Sequence, residues 1–193
     1  STETYKKNVI QLGEDPKNVF NVGGMGIDSL SSIKLLKKDI LEKKLKVKFF
    51  SKVFLITYHP VTLEPSNDLE VMKKLLQVLS HYKDTTLIFT LPNADPGNSL
   101  ISNMIEDFVS KNNNVFSFKS LGQLKYFSLI KHIDLVIGNS SSGILEVPYF
   151  RIPSINIGNR QKGRLQTSSV INCNGNYEDI KNSISLALND NFQ

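Results

Sequence analysis

Residues Asp134 to Arg164 read DLVIGNSSSGILEVPYFRIPSINIGNRQKGR. Their order decides the fold: an apolar strand, a polar Ser/Gly turn, a short helix, a return strand ending near Ile157 and a basic loop. A helix that begins on such a turn offers backbone N–H groups without intrahelical partners and the positive end of its dipole, which suits a phosphate or pyrophosphate. Ser140, Ser141, Ser142 and Gly143 make the turn. Glu146 follows Gly143 by three residues, which places it in the helix's first turn. A carboxylate there repels phosphate but accepts hydrogen bonds from a ribose diol. The loop NRQKGR brings Arg160, Lys162 and Arg164 back to the same end of the sheet, as cations able to offset a diphosphate charge. Each residue also has a plainer reading. Serines before a helix are caps, and Gly143 to Glu146 has the spacing of a capping-box acid; it is the combination that favours a nucleotide site. Pro148 removes a donor, so the helix is expected to run only about two turns before Pro153 starts the next strand.

The remainder of the chain repeats the strand and helix alternation. Strands are expected at 19–23 (VFNVG), 52–59 (KVFLITYH), 85–91 (TTLIFTL), 114–118 (NVFSF), 134–138 (DLVIG), 154–158 (SINIG) and 169–173 (SVINC). Met72, Leu75, Leu76 and Leu79 form one helical stripe, and Leu121, Leu124, Phe127 and Ile130 another. Continuous apolar strands separated by helices predict a parallel sheet covered on both faces with right-handed crossovers, a doubly wound α/β domain. In such a sheet ligands sit outside the carboxyl ends of the strands. That rule gathers GGMG at 23–26, YHP at 58–60, LPNADPGN at 91–98, KSLG at 119–122 and the serine turn. Gly23, Gly24 and Gly26 lack the pattern of a dinucleotide or P-loop fingerprint and read as turn residues. His59, at a strand end before Pro60, is expected to face the cleft, with a generic loop histidine as the alternative. His81 and His132 fall near helix ends and read as solvent-facing. Asn93 reads as a turn residue or a ligand contact.

At 193 residues, with 40% hydrophobic and 21% charged content, the chain fits one globular domain with its own core. Its longest apolar runs are strand-sized, and STETYKKNVIQ contains no signal-peptide core, so a cytoplasmic protein without membrane contact is expected. Cys173, the only cysteine, excludes an internal disulfide and a cysteine zinc site, and reads as a buried small residue. The net charge of +5 arises largely in SIKLLKKDILEKKLKVK. There Ile33, Leu36, Ile40 and Leu41 recur at helical spacing, with Lys37, Lys38, Lys43 and Lys44 on the solvated side. No nucleic-acid motif accompanies these lysines, so nucleic acid is not an expected partner.

TYHPVTLE at 57–64, LPNADPGN at 91–98, and above all GNSSSGILEVP with INIGNRQKGR resemble the UDP-N-acetylglucosamine 2-epimerases, especially the hydrolysing branch that makes N-acetylmannosamine for sialic acid synthesis. The resemblance spans nearly the whole chain. It implies two Rossmann-like domains in the GT-B arrangement, with this chain similar to the second. Residues 1–17 then form a helical segment leading out of a missing first domain, and residues 18–193 a UDP-binding domain lacking the family's final helix. Carried over by position, Ser140 and Ser141 contact the diphosphate, Glu146 the ribose and Arg160 the UDP portion. His59 faces the phosphate or sugar as the candidate catalytic residue, Asn93 and Leu121 line the nucleotide pocket, and Ser142, Gly143 and Arg164 complete the substrate-binding set. The implied reaction eliminates UDP to give a 2-acetamidoglucal, then adds water with inversion at C2. It uses no metal or redox cofactor, its proton-moving acids belong to the first domain, and the full-length protein is expected to be a homo-oligomer. The competing readings are the donor-binding domain of a GT-B glycosyltransferase and a non-catalytic nucleotide-binding module.

Overall fold

A computed structural model describes residues 1–60, 65–91, 98–189 and 192, the side chains of residues 25, 29, 65–67 and 98 excepted. The chain divides into two compact units, Ser1–Lys34 and Leu35–Gln193.

The first unit holds α1 (Glu3–Gln11), a 3-10 turn (Pro16–Asn18) and α2 (Met25–Ser32). Thr2 caps α1 by accepting the Tyr5 N–H. The expected strand at 19–23 does not form. Asn21 Oδ1 accepts the Gly23 N–H, and Asn21 Nδ2 donates to Glu3 Oε1 at 2.9 Å. A side chain that takes up a local backbone donor in this way closes a turn in place of a strand. Gly23 is left-handed with φ 74°, Gly24 is the N-cap of α2 and Gly26 lies inside it, so GGMG is a helix entry and not a strand-end loop.

The second unit runs α3 (Lys38–Leu45), β1 (Lys52–Thr57), α4 (Pro65–Leu79), β2 (Thr85–Thr90), α5 (Asn98–Ser110), β3 (Val115–Phe118), α6 (Gly122–Ile130), β4 (Leu135–Gly138), α7 (Ser142–Leu145), a 3-10 turn (Val147–Phe150), β5 (Ser154–Ile157), β6 (Val170–Cys173) and α8 (Tyr177–Ala187). The six strands pair in parallel in the order β3-β2-β1-β4-β5-β6. Every expected strand from residue 52 onward is present, within a residue or two at its ends. Thr57 is in register with Thr90 and with Gly138, and Thr90 with Phe118, so four strands finish along one edge. This is the doubly wound Rossmann-like arrangement.

Alternate residues of each strand serve opposite faces. Phe54, Ile56, Leu87, Phe89, Leu135, Ile137, Ile155 and Ile157 join Met72, Leu75 and Leu79 of α4, Ile101 and Ile105 of α5, and Ile180 and Ile184 of α8 in one core. The intervening Val53, Leu55, Ile88 and Val136 are also buried, toward the α3, α6 and α7 side. Burial on both faces is what makes these strands read as unbroken apolar runs.

Two helical stripes depart from expectation. Leu124 is exposed, while Leu121, which precedes α6 as its N-cap, is buried with Phe127 and Ile130. The buried set of α6 is Phe127 to Ile130. The lysine-rich helix begins only at Lys38 and buries Leu41 and Leu45, while Ile40 is exposed. Leu36 lies before the helix, where its N–H donates to Ser128 Oγ at 2.9 Å and its carbonyl accepts from His132 Nε2 at 3.0 Å. His132 is therefore half-buried and bonded, not solvent-facing. His81 is exposed as expected, and Cys173 is buried at the end of β6. No described helix is long and apolar enough to cross a membrane.

Candidate functional site

The strand order reverses direction between β1 and β4: β1 leads outward to β2 and β3, β4 outward to β5 and β6. At that switch point the two crossovers part and leave a crevice beyond the carboxyl ends of the strands. Its walls are the segment after Thr57 and the segment after Gly138. The approach of these walls depends on the absence of a side chain at Gly138, whose φ is 143°; a Cβ there would lie 1.8 Å from the Thr57 carbonyl oxygen. With glycine, the Asn139 N–H donates to that oxygen at 3.1 Å.

Asn139 then fastens the walls together. Its buried side chain accepts the His59 N–H at 2.8 Å through Oδ1 and donates to the His59 carbonyl at 2.7 Å through Nδ2. Its own carbonyl accepts from Arg160 Nη1 at 3.0 Å and from Gln161 Nε2 at 2.8 Å. The basic loop is thus pinned to the first residue past β4. Asn139 and Gln161 were not among the residues singled out from sequence. An amide directly after a strand's terminal glycine is a signal for Asn139, whereas nothing in NRQKGR distinguishes Gln161, which is 2% exposed.

Ser141 is the N-cap position of α7, yet its side chain makes no capping bond. Ser140 Oγ accepts the Ser142 N–H at a long 3.4 Å, and Ser142 Oγ accepts from Tyr126 Oη at 2.7 Å. The N–H groups of Ser140 and Ser141 find no acceptor among the described residues. Gly143 is buried, and its carbonyl accepts from Ser154 Oγ of β5 at 2.6 Å. Capping therefore accounts for little of this serine run.

The helix after the turn is shorter than expected: one α turn ends at Leu145, and Pro148 sits in the 3-10 turn that follows. With so few aligned peptide units the macrodipole is small, and local N–H groups carry what positive potential the turn has. Glu146 consequently lies at the C-terminal end of α7 and not in the first turn of a longer helix. Its Oε2 is buried with no hydrogen-bond partner, so it closes no capping box with that oxygen. The phenol of Tyr126 is pushed up to about 12, chiefly by burial, with the Glu146 charge adding.

Of the three cations expected here, Arg160 is tied to the turn through Asn139, while Lys162 and Arg164 are exposed and bonded in the loop only by their backbone N–H groups. His59 is half-buried, with its backbone fixed by Asn139. Leu121 occupies the entry of α6, just past the end of β3 on the same edge, but its side chain is 4% exposed and packs inward. Asn93 lies outside the described residues. Among those residues no cluster of His, Cys, Asp or Glu is suited to a metal ion. Beneath the crevice, the buried Tyr58 donates to Asp68 at 2.7 Å and anchors the end of β1 to α4. Burial first, then Asp68, raises its phenol well above the ordinary range.

The family model for UDP-N-acetylglucosamine 2-epimerase matches residues 1–193. The chain belongs to the UDP-N-acetylglucosamine 2-epimerase family. The chain is 45% identical over 172 residues, 89% of its length and 45% of the relative's, to GDP/UDP-N,N'-diacetylbacillosamine 2-epimerase (hydrolyzing) of Campylobacter jejuni. It is 37% identical over 196 residues, 100% of its length and 49% of the relative's, to polysialic acid biosynthesis protein P7 of Escherichia coli. The crystal structure of the Methanocaldococcus jannaschii UDP-GlcNAc 2-epimerase in complex with UDP-GlcNAc and UDP matches with a TM-score of 0.71 at 20% identity, covering 100% of this chain and 54% of that one. At that identity the likeness shows the fold, which is that of the GT-B-type epimerases. The chain spans about half the length of the curated relatives it matches.

Proposed function

We propose that the chain is the second, UDP-binding domain of a hydrolysing UDP-N-acetylglucosamine 2-epimerase, with residues 1–17 leading out of a first domain and residues 18–193 forming the nucleotide domain. One observation carries this reading: at the switch point, a serine turn with unbonded N–H groups lies beside a buried carboxylate oxygen that has no partner of its own. An anion fits the first feature and a vicinal diol the second, and UDP contains both. Ser140, Ser141, Ser142 and Gly143 receive the diphosphate, Arg160 adds a cation already held at the turn, and Glu146 Oε2 accepts from the ribose. Leu121, at the entry of α6, lines the nucleotide side through its backbone. Asn93 and Arg164 remain in the proposed substrate-binding set by position.

The reaction asks two different things of the protein. Elimination removes the proton at C2 while the C1–O bond breaks, its electron pair leaving with UDP. Hydration then adds hydroxide at C1 and a proton at C2 from the opposite side, giving N-acetylmannosamine. The serine turn and Arg160 stabilise the charge that develops on the departing diphosphate. His59, at the opposite wall, is the residue of this chain placed to meet the β-phosphate or sugar. The proton at C2 is moved by carboxylates of the other domain. The names of the relatives support two sugar classes, UDP-N-acetylglucosamine and its N,N'-diacetylbacillosamine counterpart, which share the UDP and the 2-acetamido group the mechanism requires. The reading carries with it a cytoplasmic, homo-oligomeric protein without a metal or redox cofactor, and a place in sialic acid synthesis.

The test is to incubate the full-length protein with UDP-N-acetylglucosamine in deuterium oxide and follow the products by NMR. UDP and N-acetylmannosamine carrying deuterium at C2 are expected. The 193-residue chain alone is expected to bind UDP weakly and release none from the sugar, because proton transfer at C2 is lost with the first domain. Formation of a glycosidic bond, or robust turnover by the chain alone, overturns the proposal.

A further inference from the structure

The Tyr126 hydroxyl reaches across from α6 to Ser142 Oγ, at 2.7 Å, sixteen positions along the chain. A serine early in a helix commonly donates its own proton back to a neighbouring carbonyl. The Ser142 hydroxyl does not: among the described residues its one hydrogen bond is the one it accepts from Tyr126. A hydroxyl has a single proton and two lone pairs. With Tyr126 filling one lone pair, the Ser142 proton is left without an acceptor among the described residues. Glu146, four residues past Ser142 and close enough for its charge to act on the Tyr126 phenol, has a buried, unbonded Oε2.

We propose that Tyr126 is a positioning residue that fixes the polarity of the Ser142 hydroxyl, making it a donor to a diphosphate oxygen and keeping Glu146 free for the ribose. The inference rests on the reading of the serine turn as the diphosphate site. The phenol suits this task because burial and the Glu146 charge hold it protonated far beyond neutral pH. Its ring is also held independently, edge-on to Phe127 with centroids 5.7 Å apart, and Phe127 in turn stacks on Phe150 at 6.4 Å. Phenylalanine at 126 would therefore keep the packing and lose only the hydroxyl. Without that hydroxyl, Ser142 is free to turn its proton onto Glu146 Oε2, which engages the serine and the ribose acceptor in a bond with each other.

The experiment compares UDP with uridine, which has the ribose but no phosphate, by calorimetry on the full-length protein and its Tyr126→Phe, Ser142→Ala and double variants, with melting temperatures as a control on folding. Tyr126→Phe is expected to weaken UDP binding about three- to tenfold, as for the loss of one ordinary hydrogen bond, and to weaken uridine binding less. Ser142→Ala should weaken UDP by a similar factor with uridine unchanged, and the double variant should be no worse than the poorer single one. Equal loss of UDP and uridine affinity in Tyr126→Phe means a general structural effect and overturns the proposal. Unchanged UDP affinity in Tyr126→Phe beside a loss in Ser142→Ala overturns it too, while leaving the diphosphate site standing. If Tyr126→Phe does not fold, Ser142→Ala alone decides, since an unchanged ratio of UDP to uridine affinity sinks the proposal. Unchanged UDP affinity in both Ser142→Ala and Glu146→Ala removes the site reading itself.

Discussion

Asn139 and His59 are joined by a reciprocal pair of hydrogen bonds, side-chain amide to main chain, at 2.8 and 2.7 Å. The bonds span eighty positions of sequence and set the width of the crevice between β1 and β4. Asn139→Ala removes both bonds from a partly buried stretch of main chain, which is expected to cost about 1–3 kcal/mol of folding stability. Asn139→Asp should cost a similar amount, because a carboxylate can accept from the His59 N–H but not donate to its carbonyl. Urea denaturation of both variants checks this. Full stability in Asn139→Asp would mean that the donated bond carries no weight.

Gly138→Ala is expected to be among the most damaging small substitutions in the chain. The added carbon would meet the Thr57 carbonyl at 1.8 Å, and that atom belongs to the backbone of a central strand, which cannot swing aside. We expect a loss of about 3 kcal/mol or more, or failure to fold, as for other severe steric changes in a packed core. Gly143→Ala is the informative contrast, since its new Cβ would find its nearest neighbours at an ordinary 3.6 Å. A Gly138→Ala protein with an unchanged denaturation midpoint would contradict the close approach of β1 and β4.

Glu146→Ala separates binding from folding. Removing a carboxylate whose Oε2 is buried and unpartnered takes away a desolvation penalty and no hydrogen bond at that oxygen, so stability should hold or rise by up to about 1 kcal/mol. UDP affinity should fall by about 1–3 kcal/mol. Calorimetry and thermal melts on the same sample read both. A helix cap would give the reverse pattern, with stability lost and UDP binding kept.

The alkaline limb of stability should bear the mark of Tyr126. Its phenol holds its proton in the folded chain up to about 12, whereas the unfolded chain releases it near the ordinary value of about 10. The contribution is complete below the unfolded value and is lost as pH rises through the folded one, on the order of 2 kcal/mol across that window. Tyr58 and Tyr82, also raised by burial, act in the same direction. Absorbance titration at the phenolate band should show late ionisation that Tyr126→Phe partly removes, and the stability of the wild type relative to the variant should hold up to about pH 10 and fall from there to about pH 12. Normal ionisation of all tyrosines in the folded protein would refute the buried environment.

The sheet was legible because its four inner strands, β1, β2, β4 and β5, are buried on two faces and so are written largely in Val, Ile, Leu and Phe. VFNVG is written in the same letters, but Asn21 spends its side chain on the Gly23 N–H, a local competition that apolar content does not register. The serine turn was legible too, since Ser and Gly after a strand have few other uses. Asn139, Gln161 and Tyr126 were not, for a common reason: each acts on a partner that only folding brings near. Gln161 meets the Asn139 carbonyl across twenty-two positions, and Tyr126 sits unremarked within the helical LKYFSLI. The length of α7 was misjudged because Pro148 marks where an α-helix is compromised, while the actual stop comes three residues earlier.

Asn139 grips position 59 through main-chain atoms that every residue type except proline supplies in full. The joint between β1 and β4 is thus written at position 139 and not at position 59: one amide encodes the gauge of the crevice for both of its walls.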